Sequence, residues 1–160
     1  MNLLAIHVVL YQPQIPSNTG NIARTCAGTN TQLHLIRPLG FSTEDKMLKR
    51  AGLDYWEHVN ITYYDSLDEF YEKNAGGAFF YITKFGQKQF TSFDYSNSAK
   101  DYYFIFGRET TGLPKDIIQN NLDTALRIPM IENIRSLNLS NTAAILIYEA
   151  LRQQDYPNLK

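Results

Sequence analysis

The chain contains five short runs rich in apolar, strand-favouring residues, several of them almost continuously apolar, and helix-like patterns separate them. The runs cover residues 3–10, 32–36, 78–84, 102–106 and 126–128. Strands without polar alternation are usually covered on both faces, and their alternation with helices is typical of a parallel sheet. The sequence therefore predicts an α/β fold in which helices flank a mostly parallel sheet. The first run is too short for a membrane span and lacks the basic start of a signal peptide, so we expect no membrane association.

Length and composition limit both the architecture and the partners. With 160 residues and 44% hydrophobic side chains, the chain can bury one substantial core, which predicts a single domain over residues 1–160. The net charge of −1 gives no overall basic surface. An RNA partner would therefore need a local basic patch, or one completed by a second subunit. Cys26 is the only cysteine, which excludes an intrachain disulfide and fits a reducing compartment, the cytoplasm.

Helix starts can be read at three places. Residues 66–69, Ser-Leu-Asp-Glu, have the pattern of a capping box, and residues 42–45, Ser-Thr-Glu-Asp, also place an acid three residues after a serine. Pro114 suits the first turn of a short helix that ends near Gln119. Residues 85–98 are polar and irregular, which predicts a long surface loop that could contact a substrate.

The last predicted helix, residues 141–154, is apolar around most of its circumference. One face would cover the sheet and leave a second apolar face that needs another partner. A subunit interface is the simplest explanation. We therefore predict a homodimer formed partly through this helix, around Tyr148.

Three polar loops follow predicted strands and lead into helices. They cover residues 18–25, 106–114 and 128–141 and are rich in Gly, Asn, Ser or Pro. Taken singly, each has an ordinary explanation, because an asparagine or serine can cap a helix and Arg24 can be a surface cation. Taken together, they carry arginines and a glutamate, and such loops gather at the carboxyl edge of a parallel sheet. We therefore expect a composite ligand site at that edge.

Several common classes of enzyme lack their signatures in this sequence. Neither Gly-x-Gly-x-x-Gly nor a P-loop occurs, which weakens an assignment to dinucleotide or nucleoside triphosphate binding. The histidines are isolated and have no metal-ligand spacing, so no metal site is expected. No order of Ser, His and Asp fits a hydrolase triad.

The three loops resemble, in the same order, the three signature motifs of the SPOUT superfamily, specifically its TrmH-type branch of 2′-O-ribose RNA methyltransferases. Residues 18–24 resemble motif 1, residues 106–114 motif 2 and residues 128–141 motif 3, so the resemblance spans nearly the whole chain. Further segments are similar to a small member of that branch without an added RNA-binding domain: residues 11–16, 37–41 and 49–55.

The resemblance implies a reaction, a donor and a substrate. A methyl group would pass from S-adenosylmethionine to the ribose 2′-hydroxyl of the wobble nucleotide, a cytidine or modified uridine, of tRNA-Leu. A homodimer and a SPOUT fold with a C-terminal trefoil knot are also implied, although general rules of chain topology would not predict a knot. Two alternatives stay open: 2′-O-methylation of another tRNA site or of rRNA, and a non-catalytic RNA-binding module.

The same resemblance implies residues for the cofactor and the catalytic step. The cofactor would be held by five residues: Ile82, Thr83, Gly107, Ile128 and Ser136. Arg24, Glu109 and Asn138 are the catalytic candidates, and their presence argues against a non-catalytic module. Because an arginine side chain donates hydrogen bonds and does not accept them, we expect Arg24 to act electrostatically on the reacting hydroxyl.

Substrate contacts are expected from the remaining polar and basic positions of the motifs: Asn18, Asn21, Lys49, Arg50 and Arg135. Lys49 and Arg50 would belong to a basic stripe on one helix, close to Tyr55 and Trp56 for base stacking. A solvated helix face explains the same spacing equally well.

Overall fold

Seven parallel strands form one sheet in the computed structural model, which describes residues 6–160 apart from the side chains of residues 52–54. In chain order the strands are β1 (Ile6–Tyr11), β2 (Gln32–Ile36), β3 (Ile61–Tyr64), β4 (Ala78–Ile82), β5 (Lys88–Gln89), β6 (Tyr102–Phe106) and β7 (Ala125–Arg127). Across the sheet the order is β3-β2-β1-β6-β4-β7-β5. The predicted parallel sheet is confirmed; residues 3–5 of the first run lie outside the described residues.

Helices cover both faces of this sheet. Those of the described residues are α1 (Pro16–Thr29), α2 (Lys46–Gly52), α3 (Leu67–Lys73), α4 (Lys115–Gln119) and α5 (Leu139–Gln153). Helices α1 and α5 pack on one face, with α2 against α1, and α3 and α4 pack on the other. In the part of the chain that the structure describes, no helix is both long and apolar enough to cross a membrane.

The central strands β1 and β6 are buried on both faces, which explains why their sequences show no polar alternation. Successive side chains of a strand point to opposite faces. Val8 and Phe104 therefore pack with α1 and α5, whereas Val9 and Ile105 pack with α3 and α4. Each fully buried side chain of this size contributes about 1.5–3 kcal/mol to the free energy of unfolding.

One of the two serine-based helix starts is confirmed and the other is wrong. The Ser66 hydroxyl accepts the N–H of Glu69 at 3.1 Å, as a capping box requires. Before α2, the Asp45 carboxylate accepts the N–H of Met47 at 2.8 Å. Asp45, not Ser42, therefore caps this helix, because it stands directly before the first turn and can reach a free N–H there.

The prediction that residues 85–98 form a long surface loop is wrong in part. The segment contains β5 and a 3-10 helix, and the Tyr95 side chain is fully buried. Gln153 accepts the Tyr95 N–H at 2.6 Å, and Gln154 donates to the Tyr95 carbonyl at 2.8 Å. Phe90 also packs against the core. Isolated aromatic residues among polar ones thus anchor this segment to α5.

Candidate active site

The loops predicted to form one site meet at the carboxyl edge of the sheet. Because all strands run in the same direction, the segments that follow β1, β4, β6 and β7 emerge at that edge together. They enclose a cavity of about 630 Å³. This volume lies within the range of small-molecule and cofactor sites.

The cavity brings together nine of the predicted site residues. All five expected to hold the cofactor line it: Ile82, Thr83, Gly107, Ile128 and Ser136. Four expected to act in catalysis or substrate binding also line it: Asn18, Glu109, Arg135 and Asn138. Apolar lining comes in part from residues for which the sequence predicted no individual role: Ile15, Phe106, Leu113, Ile118 and Leu137. Such a mixed lining suits a ligand with polar and apolar parts.

Four predicted site residues lie outside the lining of this cavity: Asn21, Arg24, Lys49 and Arg50. Arg24 is exposed on α1, and its guanidinium lies 4.8 Å from the centre of the Tyr55 ring. Asn21 is exposed one turn earlier on the same helix, and Lys49 and Arg50 are exposed on α2. A single chain therefore does not place these four side chains in the cavity.

A tight turn after β6 forms one wall of the cavity. Backbone hydrogen bonds of 2.9 and 3.3 Å between Arg108 and Gly112 close it, and Gly112 has a φ of 72°. A side chain is costly in that left-handed conformation. A Cβ on Gly107 would lie 2.2 Å from the backbone of Gly112 and Leu113. Both glycines are therefore required for the turn, and at Gly107 no side chain separates the backbone from a ligand.

Glu109 ties this turn to the loop between β1 and α1. Its carboxylate accepts the N–H groups of Gln14 and Ile15 at 2.8 and 2.9 Å, and the Asn18 amide at 3.4 Å. Free N–H groups at the start of a helix favour a negative partner. Because both carboxylate oxygens are engaged by this loop, the geometry favours a positioning role for Glu109.

Asn138 joins the third loop to the other two. Its side-chain amide donates to Asn18 Oδ1 at 3.1 Å, and its side-chain oxygen accepts the N–H of Ser140 at 2.9 Å. Asn138 thereby caps α5, which begins two residues before the predicted start. The side chains of Glu109, Asn18 and Asn138 therefore connect all three loops.

The sequence did not reveal a second link between the first two loops. Arg108 lines the cavity, its Nε donates to Gln12 Oε1 at 3.0 Å, and its guanidinium lies 5.0 Å from the centre of the Tyr11 ring. The Thr110 hydroxyl donates to Gln14 Oε1 at 2.7 Å. The two glutamines lie in the segment 11–16 noted for its resemblance, but nothing in their spacing predicts these partners.

The sequence matches the family model described as SpoU rRNA Methylase family over residues 5–148. A protein of Bacillus subtilis (strain 168), provisionally named tRNA (cytidine(34)-2'-O)-methyltransferase, is 72% identical over 160 residues, which are 100% of both chains. A protein of Methylovorus glucosotrophus (strain SIP3-4) named tRNA (cytidine(34)-2'-O)-methyltransferase is 49% identical over 150 residues, 93% of this chain and 96% of that protein.

Solved structures share the fold. One presented as structural insight into the 2-OH methylation of C/U34 on tRNA is 41% identical, with a TM-score of 0.88, and covers 96% of this chain and 97% of that chain. The SpoU methyltransferase AviRb from Streptomyces viridochromogenes, in complex with the cofactor AdoMet, is 21% identical with a TM-score of 0.82. It covers 100% of this chain and 61% of that one, and this likeness shows the fold alone. The expected SPOUT-type α/β fold is confirmed.

Proposed function

The chain belongs to the SpoU rRNA Methylase family, and we propose that it methylates the ribose 2′-hydroxyl of nucleotide 34, the wobble position, of tRNA. The observation that carries the proposal is the cavity at the carboxyl edge, because the loops that resemble the family's signature motifs enclose it. Relatives that match over 93% or more of this chain are named for that reaction.

Within this proposal, nucleotide 34 is a cytidine or a modified uridine of tRNA-Leu, and the enzyme works in the cytoplasm. The structure with 41% identity was presented for C/U34, which supports both bases. The choice of tRNA-Leu rests on the segments 11–16, 37–41 and 49–55 and their similarity to a small family member.

The cavity fits S-adenosylmethionine as the methyl donor. Its volume of about 630 Å³ suits a cofactor, and it offers apolar side chains beside the backbone of strand ends. The groups that would hold it belong to Ile82, Thr83, Gly107, Ile128 and Ser136. When bound, it supplies an electrophilic methyl group on a sulfonium sulfur.

The protein's part in the reaction is to orient the ribose hydroxyl and to stabilise the negative charge that develops on its oxygen. We assign the charge stabilisation to Arg24, which would bind an RNA phosphate and the attacking oxygen. The proton then passes to water or to a phosphate oxygen, since a guanidinium has no free acceptor. Asn138 and Arg135 orient the substrate, and Glu109 holds the loops in place.

We propose a homodimer through α5, around Tyr148. The Tyr148 side chain is 49% exposed, and Ile145 on the preceding turn is only partly covered. Helix α5 packs beside α1, which carries Arg24 on its exposed side. A dimer through this surface would let Arg24 act on RNA bound at the partner's cavity, which explains why a single chain leaves it outside.

We also propose that residues 1–160 act as one methyltransferase domain with a C-terminal trefoil knot. Strand β4 separates β6 from β7 in the sheet, and α5 then returns to pack on β1 and β6. This return path supports a knot among the loops of the cavity. Tracing the backbone in a crystal structure tests it, and an unthreaded path would contradict it.

Methyl transfer from S-adenosylmethionine to total tRNA and rRNA tests the proposed function, with the modified nucleotide mapped by mass spectrometry. We expect the methyl group at nucleotide 34 of tRNA-Leu. Methylation confined to rRNA would contradict the target. If calorimetry shows that the folded protein does not bind S-adenosylmethionine, the non-catalytic RNA-binding module is the better assignment.

A further inference from the structure

A second concavity lies at the same edge of the sheet, beyond the cavity described above. It follows the carboxyl ends of β2 and β3 and has a volume of about 650 Å³. We name it the Arg37 groove, after the residue at its mouth. Its lining is Arg37, Pro38, Leu39, Phe41, Thr43, Tyr63 and Asp65.

The Arg37 groove combines an aromatic ring, a planar cation and a carboxylate. The Arg37 guanidinium lies 4.9 Å from the centre of the Tyr63 ring, and its Nη1 lies 3.2 Å from Asp65 Oδ1. The Arg37 and Asp65 side chains are 50% and 78% exposed, so this ion pair contributes little to stability. Aromatic rings and guanidinium planes are the groups on which unpaired nucleobases stack.

Charge near the groove also favours a polyanion. From residue 37 to residue 50 the chain carries four cations against two carboxylates, although its net charge is −1. The cations are Arg37, Lys46, Lys49 and Arg50, and the carboxylates are Glu44 and Asp45. Lys49 pairs with Glu44 at 2.8 Å. With Asp65 of the groove lining the balance is four cations against three carboxylates, so the charge here is slightly positive, in contrast to the chain as a whole.

The groove is joined to the cavity through the loop between β1 and α1. The Gly40 N–H donates to the Pro13 carbonyl at 2.9 Å, and a Cβ on Gly40 would lie 2.8 Å from Gln14 Cα. The Gln14 N–H in turn donates to the carboxylate of Glu109, which lines the cavity. Strands in a sheet lie about 4.8 Å apart, and three spacings separate the β2–β3 end from the β6–β4 end, about 14 Å. A few nucleotides of single-stranded RNA span that distance.

We infer that the Arg37 groove binds one unpaired nucleobase of the tRNA anticodon loop, a few nucleotides from the one whose ribose is methylated. The inference rests on the proposed function. The base stacks on the Tyr63 ring beside the Arg37 guanidinium, and the Asp65 carboxylate accepts from an amino group on the edge of the base. The groove thus fixes the register of the loop, so that one ribose reaches the cavity.

Two variants of Tyr63 test the inference. Tyr63→Leu keeps the bulk that packs against the core and removes the aromatic face, whereas Tyr63→Phe keeps that face. For full-length tRNA-Leu we expect Tyr63→Leu to raise KM by about 5-fold to 100-fold, the loss expected for one base stack, with kcat unchanged. Tyr63→Phe stays near wild type. Arg37→Gln, which leaves the strand intact, also raises KM.

The tRNA side of the contact is removed with a set of substrates that each carry one abasic nucleotide, at position 32, 33, 35, 36 or 37. One of these substrates should raise KM for the wild-type enzyme by the same factor, and Tyr63→Leu should add nothing to that loss. Tyr156→Leu removes an exposed ring outside the groove and serves as the control. We expect each variant to keep the melting temperature and the S-adenosylmethionine affinity of the wild type, which would show that it is folded.

The outcomes separate this inference from the proposed function. If wild-type protein methylates tRNA at nucleotide 34 while Tyr63→Leu and Arg37→Gln keep the wild-type KM, only the groove assignment is overturned. A change of oligomeric state in Tyr63→Leu, without a change in KM, also overturns it and identifies a protein interface. If no tRNA is methylated by wild-type protein, the proposed function fails and the groove assignment fails with it.

Discussion

Several buried polar side chains form one continuous hydrogen-bonded chain on the α3 face of the sheet. In order, its members are Tyr103, Asn74, Tyr64, His34, His7 and Asp101. Each consecutive pair is joined by a hydrogen bond with a donor–acceptor distance of 2.8 to 3.2 Å. The Asp101 carboxylate can only accept, so His7 donates to it through Nε2. With both imidazoles neutral, His7 Nδ1 then accepts from His34, and His34 Nδ1 accepts from the Tyr64 hydroxyl. Every donor in this network has an acceptor only if all the hydrogen bonds are donated in one direction, from Tyr103 towards Asp101.

This arrangement predicts a pH dependence of stability. Burial, and secondarily the neighbouring His7, lower the pKa of His34 from 6.5 to about 3. At a pH between these two pKa values the unfolded chain binds a proton at this imidazole and the folded chain does not. The free energy of unfolding therefore decreases as the pH falls, by about 2 kcal/mol from pH 7.5 to pH 5. Urea denaturation at a series of pH values measures it.

The matched control for this experiment is the exposed His58. His34→Gln should lower stability at pH 7.5 and remove most of the dependence on pH, because the group that titrates is gone. His58→Gln should keep the wild-type dependence. Equal slopes for His34→Gln and wild type would show that His34 is not the group responsible.

Arg24 offers a prediction about catalysis. Because its guanidinium lies over Tyr55 and lines no part of the cavity, Arg24→Ala should leave folding and S-adenosylmethionine affinity unchanged. We expect kcat to fall by about 100-fold to 1000-fold, as for removal of one group that stabilises transition-state charge. Lys73→Ala, on the opposite face of the sheet, is the control for loss of a surface cation. Full turnover by Arg24→Ala would remove Arg24 from the catalytic step.

At the scale of loops and helices, the two oxygens of Glu109 hold the start of α1 against the turn after β6. In Glu109→Gln a single carbonyl oxygen replaces two charged acceptors, so one N–H of Gln14 or Ile15 loses its partner. We expect the free energy of unfolding to fall by about 1.5–3 kcal/mol, with a parallel loss of S-adenosylmethionine affinity. Denaturation and calorimetry measure the two effects.

The control for this variant is Glu72→Gln, an exposed glutamate on α3. It should change neither stability nor cofactor affinity by a measurable amount. If Glu109→Gln behaves like Glu72→Gln in both measurements, Glu109 does not hold the loops of the cavity together.

The elements that were predictable from sequence are those with a strong local cause. Strands β1 and β6 are buried on both faces, and their sequences are apolar apart from His7 in β1. Strand β3, at the sheet edge, was missed because only one of its four residues is buried and they do not form an apolar run, and β5 was missed because its two residues are exposed. Pairing with β2 and β7 makes these segments strands, and pairing between distant segments has no local sequence signal.

The site was predictable to a similar extent. Loop composition and motif order predicted that Gly107 and Ser136 belong to one site, and both residues line the cavity. The contact between Arg108 and Gln12 was not foreseen, because the two residues are 96 positions apart and their pairing depends on neighbouring strand ends. The Arg37 groove was missed for the same reason, since Tyr63 belongs to the strand that the sequence did not reveal.

At the scale of the whole molecule, the exposed Tyr148 on α5 predicts a dimer that one substitution can break. Tyr148→Asp places a charge where the proposed interface would exclude water, so we expect the dimer dissociation constant to rise by at least about 30-fold. Analytical ultracentrifugation measures it. Tyr156→Asp, beyond the end of α5, should leave the dimer intact. A wild-type protein that sediments as a monomer would contradict the proposed interface.

The proposed function requires the cavity at the carboxyl edge to deliver a methyl group to one particular ribose oxygen. The most direct measurement compares two tRNA-Leu substrates that differ only at nucleotide 34, where one carries ribose and the other 2′-deoxyribose. We predict one methyl group per tRNA for the ribose substrate and none for the deoxyribose substrate. Equal methylation of both would contradict the proposed function, because the methyl group would then be on a base or on another nucleotide.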